Sequence, residues 1–144
     1  MAAKIISGTE VAKQIREELA REVALLKEKY NVVPGLVTIL VGENPASVSY
    51  VTGKKKTAKE LAFYSIQDSQ PANIPEEKLL ELIDRYNKDP KIHGILLQLP
   101  LPGNRDGSEV FGACAIGVQV GLRDQRVIAG HRRAVGRLVL RVAG

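Results

Sequence analysis

The sequence predicts an α/β domain of three layers, a small and mainly parallel sheet flanked by helices. Three observations predict it. Apolar residues recur at helical spacing in separate stretches, and two compact apolar runs, Leu36 to Val41 and Gly94 to Leu99, are too short for helices. Helix and strand signals then alternate along the chain, as they do in parallel sheets joined by helical crossovers.

The first helix is expected to begin near Gly8, because Ser7 and Glu10 have the spacing of a capping box. Val11, Ile15, Leu19, Val23 and Leu26 follow at intervals of four, four, four and three, one apolar stripe. Lys27 and Lys29 stand where a helix C-terminus favours cations. Pro34 and Gly35 break the chain before LVTILV, whose length and β-branched content favour a strand. Gly42, Asn44 and Pro45 mark the turn after it, with Asn44 as N-cap and Pro45 at the first helical position of a helix running to about Leu61.

The segment AFYSIQDS, residues 62 to 69, predicts a second strand. From Pro75 to Lys88 acids occupy the first turn, and Leu79, Leu82, Ile83 and Tyr86 share a face before Asp89 and Pro90 stop the helix. The run GILLQLPLP then reads as a strand covered on both faces and ended by prolines.

With 144 residues the chain has room for one domain with a real core. The N-terminus lacks the h-region of a secretory signal, and no apolar run reaches membrane-spanning length, so a cytoplasmic protein without a membrane partner is expected. A single cysteine, Cys114, excludes an internal disulfide framework. With His93 and His131 as the only histidines, no metal site is expected.

The net charge of +5 is unevenly placed. Residues 1–102 carry 14 basic and 13 acidic side chains, whereas residues 103–144 carry seven Arg, no Lys and three acids. No aromatic platform interleaves with these arginines, so a solvated basic end is favoured over a nucleic-acid site. The expected division is therefore an α/β domain at 1–102 and an atypical Gly/Arg-rich tail at 103–144. That tail holds eight of the 13 glycines and has the composition of a shifted reading frame or a diverged end.

Ligands of parallel α/β sheets gather at the carboxyl ends of the strands, and two singular features of the sequence fall there. In VGENPASVSYVTGKKK, Tyr50 and Lys54 lie four residues apart on one helical face, within mutual reach. In ILLQLP, Gln98 brings an amide into an apolar strand, where it must find partners or cost a few kcal/mol. Each has a plain alternative. Lys54 also fits a solvated basic run with Lys55 and Lys56, and Gln98 fits an amide that ties down a neighbouring loop. Gly53, inside the second helix, costs up to about 1 kcal/mol relative to Ala directly before Lys54.

The stretches VGENPASVSYVTGKKKTAKE and IPEEKLLELIDRYNKDPKIHGILLQLPLP, with the opening helix, resemble the bifunctional methylenetetrahydrofolate dehydrogenase/methenyltetrahydrofolate cyclohydrolase family over about residues 1–102. The resemblance implies a folate site in which Lys54, Tyr50 and Gln98 are catalytic and Tyr50, Gln98 and Pro100 bind substrate. It also implies NADP as cofactor and a homodimer for the full-length family, whose C-terminal Rossmann domain has no counterpart motif here. Ile128 stands where the family places its pterin-binding Asp, and no Gly-rich dinucleotide fingerprint follows a strand. No cofactor residue is therefore expected, nor specific NADP binding by this chain. Two other functions compete. A short-chain dehydrogenase also uses Tyr-x-x-x-Lys, but SGTEVAKQ supplies no Gly-rich first turn. A non-catalytic α/β fragment, binding folate weakly or associating with other subunits, fits the departure after Pro102.

Overall fold

The computed structural model describes residues 6–104. Expectations for the tail beyond Asn104, Cys114 and His131 included, lie outside the described residues. Within them the order is α1 (Gly8–Tyr30), β1 (Gly35–Val41), α2 (Pro45–Glu60), β2 (Tyr64–Gln70), α3 (Glu76–Lys88), β3 (Gly94–Gln98) and a short 3-10 turn (Pro102–Asn104). The three strands are all parallel, in the order β2-β1-β3. The sheet is thus the predicted one, with β1 at its centre and covered throughout.

Side chains alternate across the sheet and so build two cores. On one face Leu36 and Leu96 meet Leu19 and Val23 of α1 and Ala58 of α2. On the other, Val37, Ile39, Val41, Ile95 and Leu97 meet Leu79, Leu82 and Ile83 of α3. These are the three layers.

The caps follow the local sequence. Ser7 accepts the Glu10 N–H at 3.4 Å, and Asn31 closes α1 in the left-handed region at φ 51°, a conformation that Asn tolerates. The apolar stripe of α1 departs from expectation at its start, since Val11 and Ile15 are 42% and 38% exposed while Leu19 and Val23 are buried. The reason is length. A helix of 23 residues spans about 35 Å and a strand of seven about 23 Å, so the first turns of α1 overhang the sheet. The second strand starts two residues later than the sequence suggests, because Ala62 adopts φ 59° and sends its N–H back to Lys59 as α2 closes.

The start of β1 is fixed by a close approach. His93 donates its N–H to the Gly35 carbonyl at 2.8 Å, and its Nδ1 accepts the Gly35 N–H at 3.0 Å. This double tie sets the register in which Leu36 pairs with Gly94 and Leu40 with Gln98. Gln98 is thereby placed at the carboxyl end of the sheet, beside the turn that leads into α2.

Candidate active site

The turn after β1 is built to launch α2. Gly42 takes φ +80° and donates its N–H to the Gln70 carbonyl, while Asn44 Oδ1 accepts the N–H groups of Ala46 and Ser47 at 3.1 and 3.2 Å. Two donors otherwise orphaned at a helix start are satisfied. The buried side of α2 then runs Ser47, Val51, Ala58 and Leu61, and Lys54 falls between them at the same helical spacing. Lys54 is half-buried, whereas Lys55 and Lys56 are exposed.

Burial pushes the Lys54 ammonium below its ordinary value, because leaving water penalises the charged form. Its Nζ donates to Gln98 Oε1 at 3.4 Å, longer than an ordinary N–H···O bond. The Gln98 amide is oriented by its other end, since Nε2 donates to the Leu99 carbonyl at 2.8 Å. Only nitrogen can donate to a carbonyl, so the oxygen faces Lys54. Gln98 therefore makes the loop-tying contact and also a contact with Lys54.

The structure brings Lys54 and Gln98 together across 44 residues of sequence. Tyr50 lies one turn before Lys54 on α2 but is 65% exposed, with no hydrogen bond to Lys54 among the described residues. Its ring is an open surface beside the pair rather than a partner of the amine. Pro100 follows a cis Leu99–Pro100 peptide and is exposed, at the rim of the same loop.

Two features escaped the sequence. Ser47 is buried to 3% exposure and donates through Oγ to the Leu99 carbonyl at 3.4 Å. Its signal was its place four residues before Val51 on the buried stripe. On the α3 side of the sheet, Asp68 accepts from both Gln70 Nε2 and the Tyr86 hydroxyl. Burial first, and then the Asp68 carboxylate, push the Tyr86 hydroxyl up to about 12, so Tyr86 stays a hydrogen-bond donor at neutral pH. This trio lies away from Lys54 and braces β2 against α3. Among the described residues no group of three or more His, Cys, Asp or Glu side chains is arranged to hold a metal ion, and no helix is long and apolar enough to cross a membrane.

These features make an α/β domain with a parallel sheet, a half-buried lysine and an oriented amide at its carboxyl end. Residues 6–117 match the tetrahydrofolate dehydrogenase/cyclohydrolase catalytic domain family, and the chain belongs to that family. It is 68% identical over 102 residues to the bifunctional protein FolD of Syntrophobacter fumaroxidans, covering 71% of this chain and 35% of that protein. With the FolD of Desulfatibacillum aliphaticivorans the identity is 53% over 140 residues, 97% of this chain and 44% of that one.

Among solved structures, the bifunctional FolD of Campylobacter jejuni superposes with a TM-score of 0.75 at 36% identity, over 78% of this chain and 40% of that one. The Trypanosoma brucei enzyme, crystallised with NADP cofactor and an inhibitor, gives 0.72 at 38% identity, over 78% and 39%. The chain thus spans well under half the length of these relatives.

Proposed function

We propose that this chain carries the folate site of a tetrahydrofolate-interconverting enzyme. The reactions are oxidation of 5,10-methylenetetrahydrofolate to 5,10-methenyltetrahydrofolate with NADP, and hydrolysis of the methenyl product to 10-formyltetrahydrofolate. The observation that carries it is the Lys54 ammonium, drawn out of water and set against an oriented Gln98 amide where α/β sheets bind ligands.

Hydrolysis demands such a group. Water oxygen bonds to the methenyl carbon and one carbon–nitrogen bond breaks as the formyl C=O forms; one water proton must reach the departing folate nitrogen, and the other, balancing the cation's charge, leaves to solvent. A lysine hands on a proton more readily when its ammonium is destabilised, and partial burial acts in that direction. Gln98 holds the amine in place through Oε1, and the exposed Tyr50 ring with Pro100 provides a surface against which the folate can lie.

The nicotinamide cofactor does not fit the described residues. A dinucleotide's pyrophosphate rests on an open glycine turn with free N–H groups at a helix start. Here the space where a Cβ of Gly42 would stand meets Pro102 Cγ at 2.9 Å, and Asn44 already occupies the N–H groups of Ala46 and Ser47. We assign no step to the cofactor through these residues and propose that this chain alone takes no NADP specifically. The cytoplasm is the proposed compartment. A homodimer is the proposed assembly of the full-length protein.

A second reading is weak folate binding without turnover. Titrating the 144-residue chain with 5,10-methenyltetrahydrofolate while recording its NMR spectrum addresses the site common to both. Saturable shifts should concentrate at Tyr50, Lys54 and Gln98. Shifts scattered over the basic surface, or none, would remove the folate site. Calorimetry with NADP at physiological salt should show no saturable heat, and light scattering on the same sample reads the assembly.

A further inference from the structure

The structure assigns Ser47 a positioning role: by holding the Leu99 carbonyl from the first turn of α2, it fixes the Gln98 carboxamide with its oxygen toward Lys54.

Ser47 and Thr38 are the buried polar residues of the described core. A buried hydroxyl needs a partner, since leaving it without one forfeits its hydration for nothing. Ser47 has that partner 52 residues away in the loop after β3, at the Leu99 carbonyl, across 3.4 Å, longer than an ordinary O–H···O bond. It is itself pinned, because its N–H is held by Asn44 Oδ1 at 3.2 Å. The Leu99 carbonyl takes two donors, Ser47 Oγ at 3.4 Å and Gln98 Nε2 at 2.8 Å, one for each lone pair. The polar path is continuous: Asn44 holds Ser47, Ser47 holds Leu99, Leu99 holds the Gln98 nitrogen, and the Gln98 oxygen is left to face Lys54. Gln98 is only half-buried, so without an anchored carbonyl its amide is free to rotate and present nitrogen to the amine. Two donors facing each other would then repel where a donor and an acceptor now meet.

The orientation stands on these contacts alone, while its catalytic consequence rests on the proposed role of Lys54. NMR of the 144-residue chain separates the two. In the wild type the Gln98 side-chain amide protons are expected apart from those of the exposed Gln14, with slower exchange into water. Ser47→Ala should move them to the Gln14 region and speed exchange several-fold, with the backbone amides of β1 and β2 unmoved. Ser47→Thr, which keeps the hydroxyl, should hold the wild-type pattern. Gln98 signals unmoved in a folded Ser47→Ala chain overturn the assignment. If that variant does not fold, the wild-type Ser47 hydroxyl proton decides: protection from exchange supports the assignment, and free exchange overturns it. Where hydrolysis is measured, Ser47→Ala should lower kcat with KM held. Lys54→Gln without effect on hydrolysis would remove the catalytic role of Lys54 and leave the amide result standing.

Discussion

Lys54→Gln is expected to lower hydrolysis of 5,10-methenyltetrahydrofolate by about 10²-fold to 10⁴-fold, the range typical of a lost proton-transfer group. The assay belongs in a chain extended by an intact nucleotide-binding domain, so that the folate site is presented as in the longer relatives. Glutamine keeps the length and polarity of the side chain but cannot carry the proton. KM should therefore change little while kcat falls. Lys55→Gln is the matched control, because Lys55 is exposed and off the buried stripe of α2. Equal losses from both substitutions would show that the lysine run acts only as a basic surface.

Gly35→Ala should cost about 3 kcal/mol or more of stability, beyond the usual range for overpacking. A Cβ at Gly35 would stand 1.8 Å from the Lys91 carbonyl oxygen and 2.9 Å from its carbon, both backbone atoms that no rotamer change can move. Relief requires parting β1 from the segment before β3, and with it the two hydrogen bonds between Gly35 and His93. Thermal unfolding should show a midpoint lower by upward of roughly 10 °C. Gly53→Ala is the contrasting substitution, since nothing lies within 4 Å of its Cβ position. It should be neutral or stabilising by up to about 1 kcal/mol. A Gly35→Ala protein as stable as the wild type would mean that the approach of Lys91 to β1 is looser than the structure has it.

Much of this architecture could be read from residue spacing. The β1 and β3 runs are short, apolar and bounded by Pro and Gly, and the Asn44-Pro45 step starts α2 as its cap chemistry dictates. What spacing cannot show is which part of an amphipathic helix finds something to cover it. The apolar stripe of α1 is continuous in sequence, yet Val11 and Ile15 overhang the sheet because the helix is longer than its strands. The site divides the same way. Lys54 and Gln98 were both visible, one beside a turn and one as an amide within a strand, and the register of Leu40 with Gln98 brings them to one edge. The Tyr50 to Lys54 spacing gave a shared helical face but not a hydrogen bond, because the inner side of α2 is aligned on Ser47, Val51 and Ala58, and Tyr50 lies off that line. Ser47 was overlooked because a serine near a helix start has a local capping use, and its distant partner, the Leu99 carbonyl, leaves no mark in a sequence.

The central claim is that partial burial makes the Lys54 ammonium, held at Gln98, readier to give up its proton and so able to act in hydrolysis. Its most direct test is an NMR titration of the Lys54 side chain in the 144-residue chain, set beside the pH dependence of methenyl-folate hydrolysis in the extended protein. The account predicts that Lys54 gives up its proton below the ordinary lysine value and that the rate profile bends at the same pH, with the bend abolished in Lys54→Gln. A Lys54 that keeps its proton up to the ordinary lysine value, with a rate profile indifferent to its replacement, would contradict it.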